Sequence, residues 1–114
     1  MKYSLSADKD LMLVTFSGDL MGGFEGEKLY REMEESIENG AKRCVVDLSQ
    51  VRFLNSSGIG ILITLLAKFR TRGGDLAIMN PSEQLKKLLI ITKLEAIFQS
   101  VNSPSEAFSK LIVE

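Results

Sequence analysis

The stretch Phe53-Leu54-Asn55-Ser56-Ser57-Gly58-Ile59-Gly60 stands between two apolar segments and decides how the whole chain is interpreted. The run from Cys44 to Leu48 before it predicts a short strand. The run from Ile59 to Phe69 after it is apolar nearly all round, which predicts a largely buried helix. A strand, a polar turn and a helix in this order form the repeating unit of an α/β sheet.

The first forty residues predict a β-hairpin followed by a helix. Polar and apolar residues alternate from Lys2 to Ala7, and Leu11 to Phe16 is almost continuously apolar, as in a half-exposed strand and a buried strand. Gly18-Asp19 and Gly22-Gly23 then interrupt the apolar pattern. From about Phe24 to Glu38 the apolar residues recur every four positions, which predicts a helix with one buried stripe. That stripe consists of Leu29, Met33 and Ile37.

Two further strand-and-helix units follow the central helix. Leu76 to Met79 predicts a strand, and Asn80-Pro81-Ser82-Glu83 predicts a helix start, with Asn80 as the N-cap and Glu83 closing a capping box. Ala96 to Val101 predicts the last strand, and Ser103-Pro104-Ser105-Glu106 repeats the capping pattern. The inward-facing residues of these two helices are predicted to be Leu85, Leu88, Leu89, Ala107, Phe108 and Leu111.

The predicted order of elements is therefore β-β-α-β-α-β-α-β-α, in a single domain that spans residues 1–114. Such alternation predicts an α/β fold with a mixed, mostly parallel β-sheet, about four packed α-helices and right-handed crossovers. A length of 114 residues suits one domain, and the chain contains no linker, internal repeat or low-complexity segment.

The composition excludes several kinds of chemistry. The chain has no His and one Cys, so it lacks imidazole bases, histidine metal ligands and an intrachain disulfide. Cys44 lies in an apolar run and is predicted to be a buried, inert thiol. The sequence contains no Gly-x-Ser-x-Gly elbow, no P-loop and no complete dinucleotide fingerprint. We therefore predict a protein that is not an enzyme and has no catalytic residue, metal or cofactor.

Charge is distributed unevenly along the chain, although the net charge is only −1. Residues 1–40 carry a net charge of −5, and residues 41–114 carry a net charge of +4. The basic residues lack the interleaved aromatic residues of a nucleic-acid site, so a solvated basic surface is predicted instead. These residues are Lys68, Arg70, Arg72, Lys86, Lys87 and Lys93.

Features of the chain also bear on its location. No segment approaches the roughly 20 apolar residues that span a bilayer, and the first residues contain no apolar core of a signal peptide. Together with an unpaired cysteine, these features favour the reducing cytoplasm.

Asn55, Ser56 and Ser57 are the candidate functional residues. Sites in open α/β sheets gather at the carboxyl ends of strands, and the start of a helix attracts anions. The plain alternative is that Ser56 or Ser57 only caps the helix. Three polar residues in a row, followed by Gly58 and Gly60, exceed what one cap requires. The residues by themselves leave both interpretations open.

The same stretch resembles the signature of STAS domains and, more narrowly, that of the bacterial anti-sigma factor antagonists. Gly18-Asp19-Leu20 matches the family's loop after its second strand, and the resemblance covers essentially the whole chain. The other matching segments are Asp47-Leu48-Ser49, Asn55 to Gly60, Gly73-Gly74-Asp75-Leu76, Asn80-Pro81-Ser82, Leu94-Glu95-Ala96-Ile97-Phe98 and Ser105-Glu106-Ala107.

This resemblance implies a regulatory protein that phosphorylation switches. The family's phosphorylated serine corresponds to Ser56, and Ser57 is the less favoured position. The resemblance further implies that the unphosphorylated protein binds an anti-sigma factor that is also a serine kinase, so that the sigma factor is released. A serine phosphatase would reset the protein. Asp19, Asn55, Ser57 and Gly58 would form the partner-binding surface, with no direct contact to nucleic acid.

One residue departs from the family motif, which commonly has Asp where this chain has Asn55. Asparagine keeps the shape and the capping ability of aspartate but lacks its charge. If that carboxylate helps to activate the serine hydroxyl, phosphorylation here would be slower or absent. Two alternatives therefore stay open: a non-phosphorylated STAS subunit of a membrane transport complex, and a module that binds a nucleotide or another anion.

Overall fold

The computed structural model describes residues 2–20 and 25–113, and its elements follow the predicted order. The strands are β1 (Lys2–Asp8), β2 (Leu11–Leu20), β3 (Arg43–Leu54), β4 (Asp75–Met79) and β5 (Gln99–Val101). The helices are α1 (Glu25–Glu38), α2 (Ser56–Thr71), α3 (Glu83–Ile91) and α4 (Glu106–Lys110), with a 3₁₀ turn at Leu94–Ala96. The predicted break at Gly22-Gly23 and the predicted first helical residue, Phe24, lie outside the described residues.

The strands form one five-stranded sheet in the order β1-β2-β3-β4-β5. β1 pairs with β2 in an antiparallel hairpin, and every other neighbouring pair is parallel. Parallel neighbours need a crossover connection, and α1, α2 and α3 supply these crossovers. The prediction of a single α/β domain with a mixed, mostly parallel sheet is confirmed.

Two apolar layers cover the two faces of the sheet. The larger layer lies between the sheet and α1, α2 and α3, and it contains the predicted stripe of Leu29, Met33 and Ile37. The smaller layer lies between the sheet and α4, where Val45 packs with Leu111. Since successive strand residues point to opposite faces, β3 contributes to both layers. The inner face of α2 is buried along Ile61, Leu62, Leu65, Leu66 and Phe69.

Two strands extend further than the sequence predicted. β2 continues through Gly18-Asp19 to Leu20, so these residues do not break the strand, and β3 continues to Leu54, well past its apolar run. The two extensions pair with each other, Asp19 opposite Phe53 and Leu20 opposite Leu54. Two register shifts accommodate the pairing. Backbone pairing thus extends both strands through polar residues that apolar periodicity does not mark.

The start of α3 differs from the predicted capping box. Ser82, not Asn80, is the N-cap, because its Oγ accepts a hydrogen bond from the Leu85 amide at 3.1 Å. Asn80 lies before the helix with a φ of 54°, a left-handed conformation that asparagine tolerates better than most residues. Glu83 is the first helical residue and cannot close the box. The segment contains two residues able to cap, and the second of them is used.

The end of the chain also departs from its predicted pattern. Ser105 occupies the N-cap position of α4 without a side-chain hydrogen bond, and Glu106 Oε2 accepts from the Asn102 amide at 2.9 Å rather than from Ser103. The last strand is shorter than predicted, because a 3₁₀ turn ends at Ala96. The predicted inward residues of α4 are confirmed, since Ala107 and Leu111 are buried and Phe108 is half-buried.

Candidate functional site

Asn55 is the N-cap of α2. Its backbone is extended, with φ −102° and ψ −175°, and its Oδ1 accepts a hydrogen bond from the Gly58 amide at 2.9 Å. This bond satisfies one of the backbone N–H groups that the start of a helix leaves without a partner. The helix therefore begins at Ser56 instead of the predicted Ile59, and the capping role falls to Asn55 rather than to either serine.

Ser56 and Ser57 are the first two helical residues, and both are exposed. Their hydroxyl groups are not used for the cap, because Asn55 supplies it. The start of α2 carries a partial positive charge, so a negative group added here is favoured by the helix. The first turn of α2 contains no acidic side chain of its own.

Gly58 brings the start of α2 against the end of β2. A Cβ atom at this position would lie 1.9 Å from the Leu20 carbonyl oxygen and 2.8 Å from Leu54 Cδ1. Only glycine allows this approach without a backbone shift. Gly58 is itself buried, so in the free protein it offers no surface to a partner. In the structure Gly58 therefore positions Ser56 and Ser57, and its role in partner binding stays a prediction.

Asp19 reaches the same edge of the sheet. It pairs with Phe53 in the β2–β3 ladder, directly before the turn that contains Asn55. Its Oδ1 lies 3.3 Å from Arg52 Nη2, and the Arg52 side chain is largely exposed. The backbone N–H of Asn55 also donates a hydrogen bond of 3.4 Å to the carbonyl oxygen of Leu20, the last residue of β2. The structure thus brings Asp19 and Asn55 together at the carboxyl ends of two adjacent parallel strands.

A surface groove between α1 and α2 continues from Ser57. Gly60 and Thr64 of α2 line it together with Glu27 and Tyr30 of α1, and its volume is about 370 Å³. The sequence offered no signal for these two α1 residues, because their position depends on how the helices pack. Lys68 Nζ lies 5.4 Å from the centre of the Tyr30 ring and pairs with Glu34, which ties the two helices together.

Cys44 and the predicted basic residues lie in different environments. Cys44 is fully buried, and burial raises the pKa of its thiol, so the reactive thiolate is disfavoured. Lys68, Arg70 and Lys86 pair with acidic side chains; Arg70 and Lys86 are exposed, whereas Lys68 is half-buried. In residues 2–20 and 25–113, no group of three or more His, Cys, Asp or Glu side chains could hold a metal ion. Across these same residues, no helix has the length and apolar character to cross a membrane.

Replacing Asn55 by alanine is expected to lower the free energy of unfolding by about 1 kcal/mol, because the cap to the Gly58 amide is lost. Asn55→Asp is the matched control, since aspartate keeps the cap and places a charge at the positive end of α2. Urea denaturation of the three proteins measures the difference. An alanine variant as stable as the parent would show that this cap contributes nothing.

Comparison with known proteins places this fold in a family. The sequence profile of the STAS domain matches residues 3–107. A protein of Thermotoga neapolitana named as a candidate anti-sigma factor antagonist is 27% identical over 78 residues, which are 68% of this chain and 69% of the relative. The anti-sigma F factor antagonist of Paenibacillus polymyxa is 23% identical over 106 residues, which are 92% of this chain and 90% of the relative.

Solved structures agree with the sequence comparison. The anti-sigma factor antagonist SpoIIAA in its unphosphorylated form superposes with a TM-score of 0.76 at 18% identity, covering 96% of this chain and 95% of that one. The phosphorylated form of SpoIIAA from Bacillus gives a TM-score of 0.71 at 18% identity, covering 96% and 98%. At 18% sequence identity, these two superpositions show a shared fold and nothing beyond it. The chain belongs to the STAS domain family, and by name and fold its relatives are the anti-sigma factor antagonists of that family.

Proposed function

We propose that this protein is an anti-sigma factor antagonist whose binding is switched by phosphorylation of Ser56. In its unphosphorylated form it binds an anti-sigma factor that is also a serine kinase, and the sigma factor is freed. A serine phosphatase resets it. In this proposal the cycle operates in the cytoplasm, and this protein contributes no catalytic residue to it.

The observation that carries this proposal is the exposed Ser56 hydroxyl at the first position of α2, with the cap already supplied by Asn55. A kinase needs a hydroxyl that it can reach and that the fold does not require. Ser57 is also exposed, but it lines a groove whose lining includes the acidic residue Glu27 of α1. Like charges disfavour that position. A neighbour of the same fold has been solved in both an unphosphorylated and a phosphorylated form, which supports the same chemistry here.

The energetics of the site suit a switch that leaves the fold intact. A phosphoserine carries about −1.5 to −2 charges at neutral pH. At an exposed helix start it is stabilised by roughly 0.3–1 kcal/mol. A partner surface that covers Ser56 must instead remove water from this group, and each 1.4 kcal/mol of that cost weakens binding tenfold.

The proposed partner-binding surface consists of Asp19, Asn55, Ser57 and Gly58 around the Ser56 hydroxyl. Gly58 is the buried member of this set and holds α2 against β2. Asp19 is half-exposed and paired with the exposed Arg52. A charged side chain of the partner can therefore replace either member of this ion pair.

Phosphorylation in vitro tests the proposal. The purified protein is incubated with ATP and each kinase-type anti-sigma factor of the source organism, and the products are analysed by intact mass and peptide mapping. We expect one phosphate on the parent and on Ser57→Ala, and none on Ser56→Ala. A phosphate that persists in Ser56→Ala and disappears in Ser57→Ala would move the switch to Ser57. The absence of phosphate with every kinase would contradict the proposal.

A further inference from the structure

An apolar groove adjoins the proposed switch on the side of α3. Its floor is formed by Leu54 and Leu85, which are buried, and Leu88, which is half-buried. Its walls are Phe53 and Ile91, whose exposed fractions are 49% and 77%. The volume is about 240 Å³, a size that suits a large apolar side chain. Large apolar side chains clustered on a surface mark places where a partner binds.

This groove is continuous with the switch through Leu54. The Leu54 side chain forms part of the floor, and its Cδ1 also lies 2.8 Å from the position that a Gly58 Cβ would occupy. Leu54 immediately precedes Asn55, the cap of α2. The groove therefore begins at the residue that directly precedes the cap of α2.

The charged residues that line the groove are both basic. Arg52 lies at one end, where Asp19 Oδ1 contacts its guanidinium at 3.3 Å, and Lys87 lies on the α3 side. The lining contains no acidic side chain. The only other polar lining residue is Gln84. Asp19 already pairs with Arg52, so an apolar side chain with a carboxylate beside it would match the groove and Lys87 directly, and it could share Arg52 with Asp19.

We propose that this groove holds an apolar side chain of the anti-sigma factor, flanked by acidic residues that face Arg52 and Lys87. The inference rests on the proposed function and names the second part of the same interface. Burial of Phe53 and Ile91 by the partner strengthens binding of the anti-sigma factor. Phosphorylation of Ser56 weakens the same binding and so switches it off.

Neighbouring isoleucines of α3 provide a matched pair for the test. Ile91 lines the groove, whereas Ile90 is 59% exposed and lines a separate cavity toward β4 and β5. Both replacements by serine remove one exposed aliphatic side chain from the same helix turn, so neither should impair folding. Only Ile91→Ser should affect the partner.

The experiment measures the affinity of the purified anti-sigma factor for the parent, Ile91→Ser, Ile90→Ser, Lys87→Glu and Ser56→Asp, by calorimetry at two salt concentrations. We expect Ile91→Ser to weaken binding at least tenfold and Ile90→Ser to change it less than twofold. Lys87→Glu should weaken binding several-fold, and its effect should shrink at high salt because the ions screen the charge.

The outcomes separate the groove from the switch. If Ser56→Asp weakens binding and Ile91→Ser does not, the groove proposal is wrong and the proposed function stands. If no variant changes the affinity, or the anti-sigma factor does not bind the parent, the proposed function and the groove proposal both fail. Self-association that Ile91→Ser abolishes, with unchanged affinity for the anti-sigma factor, would assign the groove to a second copy of this chain and overturn the proposal.

Discussion

Gly58→Ala is expected to destabilise the protein by about 3 kcal/mol or more. The new methyl group would lie 1.9 Å from the Leu20 carbonyl oxygen, a backbone atom that cannot move aside without disturbing the end of β2. Forcing an extra carbon into a close-packed contact costs typically about 1–3 kcal/mol, and a clash with backbone belongs at the upper end. Urea denaturation measures the change in the free energy of unfolding.

Gly60→Ala is the matched control for this prediction. Gly60 lies in the same helix, but a Cβ there would meet nothing within 4 Å. Alanine is the better helix former by about 1 kcal/mol, so this variant should be slightly more stable than the parent. If Gly58→Ala lowers the free energy of unfolding and Gly60→Ala raises it, the contact between α2 and β2 is established as the one that positions the site. A Gly58→Ala protein as stable as the parent would refute it.

Ser56→Asp is expected to weaken binding of the anti-sigma factor about a hundredfold while leaving the fold unchanged. The side chain is exposed at the start of α2, where a carboxylate is tolerated or mildly favourable. Covering that charge in an interface is unfavourable, and about 2.8 kcal/mol of lost affinity corresponds to a factor of a hundred. Circular dichroism and calorimetry measure the two effects separately.

Ser105→Asp is the control for the added charge. Ser105 is exposed and also precedes a helix, but α4 packs on the opposite face of the sheet from α2. This substitution should leave the affinity unchanged. Loss of the native circular dichroism in Ser56→Asp would contradict the claim that the switch acts without reshaping the domain. An equal loss of affinity in both variants would show an effect of net charge rather than of position.

The order of elements and the position of the polar turn before α2 could be predicted because both depend on local sequence. The stripe of Leu29, Met33 and Ile37 and the buried run of α2 each have a clear period, and the structure buries them. The polar turn before α2 stood out for the same reason. Its residues interrupt an otherwise apolar segment.

Features that depend on pairing or packing could not be predicted in this way. The ends of β2 and β3 contain Asp19 and other polar residues, and only their mutual backbone hydrogen bonds make them strand. Asn80 and Ser82 can both cap α3, so the sequence alone does not show that Ser82 is the residue used. The role of Gly58 depends on the distance to a strand that lies far away in sequence.

The groove beside the switch illustrates the same limit at the level of function. Phe53 belongs to the motif, whereas Ile91 and Lys87 lie in α3, and the sequence predicts only a solvated basic surface for Lys87. The crossover connection brings α3 next to the end of β3 and so joins these residues into one surface. Sequence reasoning singled out Ser56 as the candidate switch, and the groove between β3 and α3 appears only in the fold.

The central claim is that phosphate on Ser56 controls binding, and one measurement tests it most directly. The full-length protein is phosphorylated by the anti-sigma factor kinase, purified, and divided into two samples, one of which is treated with a serine phosphatase. The affinity of each sample for the same anti-sigma factor is then compared. The proposal predicts tight binding by the dephosphorylated sample and binding weaker by about a hundredfold or more with phosphate on Ser56. Equal affinities for the two samples, with the phosphate mapped to Ser56, would contradict it.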